Sequence, residues 1–424
     1  MRSVIESACG SGIAPSWPTQ QAVARNRLSG VSEDRTLTFA RRAVSVEFIA
    51  AGVLIATWAS RIPQVRDALD LTPATLGLVI LSLSSSLLAM PMAGVLVHSL
   101  GSGRTIVITS LLATFGLALA GVGVLIGVGV VVTGLFLFGI GAGPWDVAMN
   151  VEGAAVERQL GRSLMPRLHA GFSVGTVTGA LIGVAMNALS VPVTIHFVMV
   201  AALTAVVVPI ATRSFIVDDP TDDGPREKSH ALRAWLEPRT IAIGVFTFIA
   251  ALSEGVGNDW IGVAAIDGYG AAAAIASLGY GLFVAAMTAG RWFGHSVLDR
   301  FGRVPVLRVS LALGIVGLLV FVFGPSLWTA ALGVVCWGLG SALGFPVAMS
   351  AAADDPGRAA ARVSVVATLG YLAFLAGPTV IGFTGNAIGV LQALLIVTAL
   401  LVLGLALAGA TKPLSAGSAP TTGD

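Results

Sequence analysis

Residues 143–150 read Gly-Pro-Trp-Asp-Val-Ala-Met-Asn, and residues 347–350 read Val-Ala-Met-Ser. The first stretch follows a run of 41 residues, between Arg104 and Asp146, that holds no Asp, Glu, Lys or Arg. The second repeats its Val-Ala-Met 200 residues later. Gly139, Gly141 and Gly143 lead into the first copy, and Gly338, Gly340 and Gly344 into the second. Trp58 is echoed by Trp260 at a spacing of 202, and His98-Ser99-Leu100-Gly101 by Asp299-Arg300-Phe301-Gly302 at a spacing of 201. Each match alone is weak. Three in the same order at nearly one spacing define an internal repeat.

The repeat is written in an apolar alphabet. Of 424 residues, 55% are hydrophobic and 11% charged, against roughly 25% charged in a soluble domain. Mean hydropathy is strongly positive. Too little polar surface remains to face water, so the chain is expected to be a polytopic membrane protein. A net charge of +2 gives no reason to expect nucleic acid as a partner. Cys9 and Cys336 make neither a disulfide framework nor a metal-ligand pattern. No HExxH, Cys/His cluster, Ser/His constellation or nucleotide-binding loop is present. Neither an enzyme nor a metal or cofactor site is expected, and transport driven by ATP is disfavoured.

Only helices and closed barrels cross a bilayer. The apolar runs are about 20 residues or longer, which suits helices. Twelve are expected: 43–60, 73–97, 104–123, 126–151, 168–189, 191–212, 239–261, 271–296, 304–324, 327–350, 360–385 and 387–410. With both termini in the cytoplasm, 22 of the 24 Lys and Arg fall on the cytoplasmic side, and only Arg61 and Arg66 outside. That asymmetry follows the positive-inside rule, and losing one span would scramble it.

Twelve spans and a parallel repeat imply an all-α membrane protein of two six-helix bundles related by an axis along the membrane normal. The expected divisions are a disordered cytoplasmic tail (1–39), a first bundle (40–212), a charged cytoplasmic linker (213–238), a second bundle (239–412) and a C-terminal tail (413–424). The cytoplasmic (inner) membrane is the expected location. Two bundles suffice for a pathway, so the expected unit is a monomer in the lipid bilayer.

A carboxylate at membrane depth costs about 2.5–3.5 kcal/mol on insertion scales and marks a functional site by default. Asp146 and Asn150 are four apart and share a helix face, with Glu157 on nearly the same stripe. Asp146 either faces a central cavity or is hydrated near the helix end and paired with Arg162 or Arg167. Glu254 and Asn258 form a second such pair, Glu254 leaning towards a cavity, with Asp259 leaning towards the interface. Glycines 171, 175, 179 and 183 make a smooth stripe for a neighbouring helix, with a sliding surface as a further use. His169 heads that helix as either a structural residue or a ligand. Trp145, Phe172, Trp337, Phe345 and Tyr371 lie at mid-depth, where aromatic rings stack on sugars or simply pack. Trp58, Trp260 and Trp328 suit an interfacial belt. Arg291 is expected to snorkel or pair near the cytoplasmic gate, with a substrate-anion role as the alternative. Gly143-Pro144 and Gly377-Pro378 are expected to break or soften their helices beside the cavity.

The segment HSVLDRFGRVPVL (295–307) resembles the cytoplasmic loop signature of the major facilitator superfamily, with Asp299, Arg300, Gly302 and Arg303 in place. The first-half copy, GVLVHSLGSGR (94–104), keeps Gly94, Gly101 and Arg104, but has His98 and Ser99 where the family has Asp and Arg. The resemblance implies that these loops tie adjacent helices when the cytoplasmic side is closed. SRIPQVRDALDLTPATLGL, GPWDVAMNVEGAAVE, SEGVGNDW and VATLGYLAFLAGP are similar to a bacterial branch of permeases related to the fucose-permease type of sugar–proton symporter and including rhizopine-transport proteins. By that resemblance, Asp146 is a candidate proton carrier, Asn150 lies on the cavity and His169 matches a polar position. The symporters also carry an acid at the end of helix 1. Here that region reads Thr57-Trp58-Ala59-Ser60-Arg61, and Glu47 is expected at the opposite end beside Arg41 and Arg42. The expected function is secondary transport of a small polar, sugar-like solute coupled to protons. A proton-antiport efflux pump is the alternative, and a non-transporting sensor a third reading.

Overall fold

The computed structural model describes residues 20–161, 164–215, 234–355 and 358–414, with side chains from Thr36 onward. Most of the linker and both expected tails lie outside these residues. The helix that becomes the first span starts at Gln20, within the segment expected to be a tail.

Twelve helices are long and apolar enough to cross a membrane. They are α1 (Thr36–Ala68), α2 (Pro73–Leu100), α3 (Ser102–Ile126), α4 (Val128–Leu160), α5 (Arg167–Ala188), α6 (Val193–Ser214), α7 (Pro238–Tyr269), α8 (Ala273–Gly294), α9 (Arg303–Phe323), α10 (Leu327–Ala352), α11 (Ala361–Ile388) and α12 (Val390–Thr411). They pack as two bundles of six. In the first, α1 packs on α5, α3 on α4 and α6, and α2 on α4; in the second, α7 packs on α11, α9 on α10 and α12, and α8 on α10. The repeat is therefore a repeat of packing.

It holds at atomic scale. Cβ atoms on Gly116 or Gly134 would lie 2.3 Å from Phe138 N and 2.4 Å from Ala120 N respectively. On Gly317 or Gly333 they would lie 2.4 Å from Trp337 N and 2.6 Å from Phe321 N. The same close crossing of third and fourth helix is built twice, and only glycine permits it.

Between the bundles α5 meets α8 and α2 meets α11. These pairs exchange under the repeat, so the seam is itself two-fold. Its polar contacts among the described residues gather from mid-length towards one end. Arg66 Nη1 donates to both Asp267 carboxylate oxygens (2.7 and 2.6 Å). Ser277 Oγ donates to the Ser60 carbonyl (2.7 Å), and Asn187 Nδ2 to Ser277 Oγ (2.5 Å). Closer to mid-length, Ser84 Oγ donates to the Phe374 carbonyl at 3.0 Å. Pro378 explains that bond. It has no N–H to donate four residues back, so the Phe374 carbonyl is free for the other half.

Pro144 and Pro378 both sit inside unbroken helices, contrary to the expectation that Gly-Pro would interrupt them. The irregularities fall elsewhere. A 3₁₀ turn at Ser82–Ser85 divides α2, and α10 stops at Ser341 and resumes at Gly344. The glycine stripe of α5 faces α1 of its own bundle, with Gly175 approaching the Ile49 carbonyl, so it is no sliding surface between halves.

Trp58 and Trp260, expected at the interface, are 1% and 0% exposed. Both are buried inside the protein, Trp58 against Phe197 of its own bundle, which hydropathy alone cannot tell from a lipid-facing position. Trp328 is 87% exposed at the start of α10.

Candidate functional site

The halves leave a polar region between them at mid-length. On the first-half side, α4 presents Asp146 and Asn150, one turn apart. Asn150 Nδ2 donates to the Asp146 carbonyl at 2.8 Å and reaches Asp146 Oδ1 at 3.4 Å. Asp146 lies deep within the molecule, yet more than a third of its surface is open. It has no cationic partner among the described residues. Arg167 is exposed elsewhere, and Arg162 lies outside the described residues. Tyr371 of α11, half-buried and 6.4 Å ring to ring from Phe374, is near enough for the Asp146 charge to act on its phenol. The site thus spans both bundles.

On the second-half side, Arg291 of α8 pairs with Glu254 of α7 at 2.7 Å, with side chains 32% and 21% exposed. Arg291 Nε also donates to the Ala342 carbonyl at 3.2 Å, a carbonyl released by the interruption of α10. Arg291, expected to snorkel or pair, is thus paired. It is held at Glu254, and its charge acts on His169 of α5 across the seam. His169 is exposed and meets Phe48 edge to face at 5.3 Å. Asn258 is half-buried one turn beyond Glu254, and Asp259 and Glu254 both act on the buried Tyr280. Asp259 therefore lies inside the second bundle and not at the interface. Phe172 is half-buried on α5, and Phe345 packs towards Gly370 of α11.

Two aromatic candidates do not face this region. Trp145 is 2% exposed and Nε1 donates to Glu47 Oε2 at 3.2 Å. Trp337 is fully buried, its Nε1 donating to Ser253 Oγ at 2.9 Å and its ring 5.2 Å from Phe283. Both indoles tie the fourth helix of a bundle to its first. They were singled out by depth, which does not fix the face. Glu157 leaves the Asp146 stripe too: its Oε2 accepts from the Leu164 and Met165 amides at 2.5 and 2.7 Å, capping the turn into α5.

Glu47 is the residue that the sequence reading misplaced most. It is fully buried and bound to Trp145, and Oε1 has no partner among the described residues. A carboxyl six residues beyond Arg41 has already left the charged end of its helix, at about 1.5 Å per residue. That distance was the signal available.

At the far end from the seam's polar contacts, Gly101 and Gly302 turn α2 into α3 and α8 into α9 with matching positive φ (81° and 78°). Gly94, His98, Arg104, Asp299 and Arg300 are exposed there. Arg303 Nη1 donates to Asp354 Oδ1 at 2.7 Å and Nη2 to Ser350 Oγ at 3.0 Å, tying α9 to α10. Among the described residues no group of His, Cys, Asp and Glu could hold a metal ion.

Two six-helix bundles with a charged, half-open region between them define a membrane transporter. Residues 43–378 match the Major Facilitator Superfamily, and the chain belongs to it. It is 33% identical to the uncharacterized transporter y4wD of Sinorhizobium fredii over 82% of this chain and 91% of that one. It is 29% identical to the membrane protein MosC of Rhizobium meliloti, over 84% and 86%. Among solved structures, the nucleoside transporter NupG superposes with a TM-score of 0.71 at 14% identity, covering 88% of this chain and 98% of that one. The fucose:proton symporter FucP of E. coli gives 0.62 at 15% identity, covering 89% and 99%. At such identities the likeness is one of fold.

Proposed function

We propose that the chain imports a small polar, sugar-like solute by alternating access, coupled to protons taken up at Asp146. The observation that carries the reading is Asp146 itself. It is an acid deep in a bundle, open to internal space, hydrogen-bonded to Asn150 and bound to no cation among the described residues. A carboxylate so placed is costly unless it is used. Asn150, His169, Tyr371, Glu254 and Arg291 add donors and acceptors from both halves, which suits a solute rich in hydroxyls. Glu254 is a weaker proton candidate than Asp146 because Arg291 already neutralises it. The kinship of fold with a fucose:proton symporter and a nucleoside transporter supports polar, ring-shaped solutes.

The seam is closed at the end of Arg66 and Asp267, while Asp146 and His169 remain exposed. The central space therefore opens towards the Gly101 and Gly302 turns. The basic residues put that end in the cytoplasm, so the conformer is inward-facing, in the inner membrane, with both termini inside. A single chain supplies both halves of the site, which supports a monomer.

Proteoliposome uptake driven by an imposed proton gradient tests the role of Asp146. Asp146→Asn should reduce driven uptake to background and leave exchange of bound solute partly intact. Undiminished driven uptake by this variant would sink the assignment. The solute is found by thermal-shift screening, since a ligand of the native state stabilises it by mass action.

A further inference from the structure

Ten buried side-chain atoms in the described residues have no hydrogen-bond partner, and seven of them belong to four residues: Trp58, Arg61, Gln64 and His196. Trp58 stands at the end of the long part of α1, Arg61 in the turn that follows it, and Gln64 in the short helix Ile62–Ala68 beyond. His196 stands in the first turn of α6, close enough for the Arg61 charge to act on its ring. Phe197 ties the group together, 6.1 Å ring to ring from both Trp58 and His196. Arg61 is 2% exposed and His196 fully buried. The guanidinium makes one bond, Nη2 to the Val191 carbonyl at 2.5 Å, which leaves Nε and Nη1 without a partner. Both imidazole nitrogens, the Trp58 indole N–H and both ends of the Gln64 amide are likewise unmatched.

A buried polar atom without a partner costs several kcal/mol, and an uncompensated buried charge costs more. Among the described residues no carboxylate pairs with Arg61. Asp67 and Asp267 are both bound to Arg66, which leaves Arg61 uncompensated. The unmatched groups are also unbalanced in kind. The two guanidinium nitrogens, the indole, the amide nitrogen and one ring nitrogen donate, against one amide oxygen and one ring nitrogen that accept. Water, which donates as readily as it accepts, would leave the charge standing and donors in excess. An ion that only accepts hydrogen bonds and carries one negative charge satisfies both needs.

We infer that Arg61 and His196, with the Trp58 indole, form a sealed site for a small inorganic monovalent anion of halide size. It lies outside the solute region, within the first bundle. The residue next to Arg61 contributes to the seam: the Ser60 carbonyl accepts from Ser277 Oγ, and Asn187 reaches it at 3.4 Å.

The full chain, purified in sodium gluconate, is unfolded thermally in chloride, bromide or gluconate at one ionic strength. The expected result is a Tm higher in either halide than in gluconate, rising by equal steps per tenfold of halide above saturation, as for one site on the native state. Arg61→Gln should abolish the halide effect, and Arg104→Gln, which removes an exposed cation elsewhere, should keep it. Superposed curves in halide and gluconate, or a halide response retained by Arg61→Gln, would overturn the site. If Arg61→Gln does not fold, crystals of the natural chain grown in bromide decide. An anomalous peak within hydrogen-bond reach of Arg61 and His196 supports the proposal, and water alone at that position refutes it.

Discussion

The two halves turn from their second helix into their third with one backbone and two chemistries. Gly101 and Gly302 share a φ near 80°, and each amide donates four residues back, to Val97 and Leu298, at 2.9 and 2.8 Å. What fastens the turn to the end of the fourth helix differs. In the first half Ser102 Oγ donates to Glu152 Oε2 at 2.5 Å. In the second, Arg303 meets Asp354 in an ion pair that Arg239 also joins at 2.9 Å. The central region diverges in the same manner. Asp146 and Asn150 face Pro346 and Ser350 in the repeat, while Glu254 and Arg291 have Gly52 and Pro91 for counterparts at spacings of 202 and 200. Positions that let helices approach are kept in both halves. The central charged positions are each present in one half alone, whereas Arg158 and Arg162 recur in sequence as Arg358 and Arg362, so the central charges mark where the halves have different work.

The largest stability effect expected from that asymmetry lies at the Arg291–Glu254 pair. Arg291→Met leaves Glu254 unpaired and the Ala342 carbonyl without its donor. Removing one partner of a fully buried pair costs about 3–5 kcal/mol. With both side chains one-fifth to one-third exposed, about 2 kcal/mol is expected, read as a lower Tm. The double variant Arg291→Met with Glu254→Gln should recover most of it. A double variant as unstable as the single one would show that the pair is not the unit.

Much of this asymmetry was legible in the chain. Repeat spacing and basic-residue bias placed twelve spans close to their observed bounds, because hydropathy and charge report directly on burial in lipid. Asp146, Asn150, His169, Glu254 and Tyr371 were legible too, as polar or aromatic residues at depth. Trp145, Trp337 and Glu47 were not. Depth along a helix can be counted from its ends, but which face meets a neighbour depends on helix crossings that a uniformly apolar sequence does not encode. The interruption of α10 at Ser341–Gly344 had a signal in Pro346, which has no N–H for the Ala342 carbonyl four residues back, but Pro144 and Pro378 sit in helices that continue past them, so proline alone did not separate the cases.

A smaller effect is expected at the inner turns, where the comparison between halves is cleanest. Ser102→Ala removes one hydrogen bond to a buried carboxylate, worth about 1.5 kcal/mol, the lower end for a charged acceptor. Glu152 is 1% exposed, and its loss of a donor is not made good by water. Arg303→Ala removes two contacts, yet Asp354 keeps Arg239, so about 1 kcal/mol or less is expected. The first half should thus be the more sensitive at this joint. Equal losses of Tm in the two variants, or a greater loss in Arg303→Ala, would reverse that ranking.

The smallest effect concerns pH and is read at the start of the second half. Glu237 lies just before α7, where Arg362 Nε donates to Oε2 at 2.6 Å, Thr240 Oγ1 at 2.8 Å, and Arg358 to Oε1 at 3.2 Å. The Arg362 hydrogen bond above all holds its carboxyl below the ordinary value of 4.5. A carboxyl whose native pKa is depressed adds stability that is fully present above its unfolded pKa and is lost as pH falls through the native one. Glu237→Gln should therefore lower Tm by a constant amount from neutral pH down to about 5, and the difference from the natural chain should close below 4.5. Because the group is partly exposed, 0.5 M salt should shrink the gap as well. A gap that persists unchanged at pH 3 would mean that packing around the side chain, and not its charge, stabilises the start of α7.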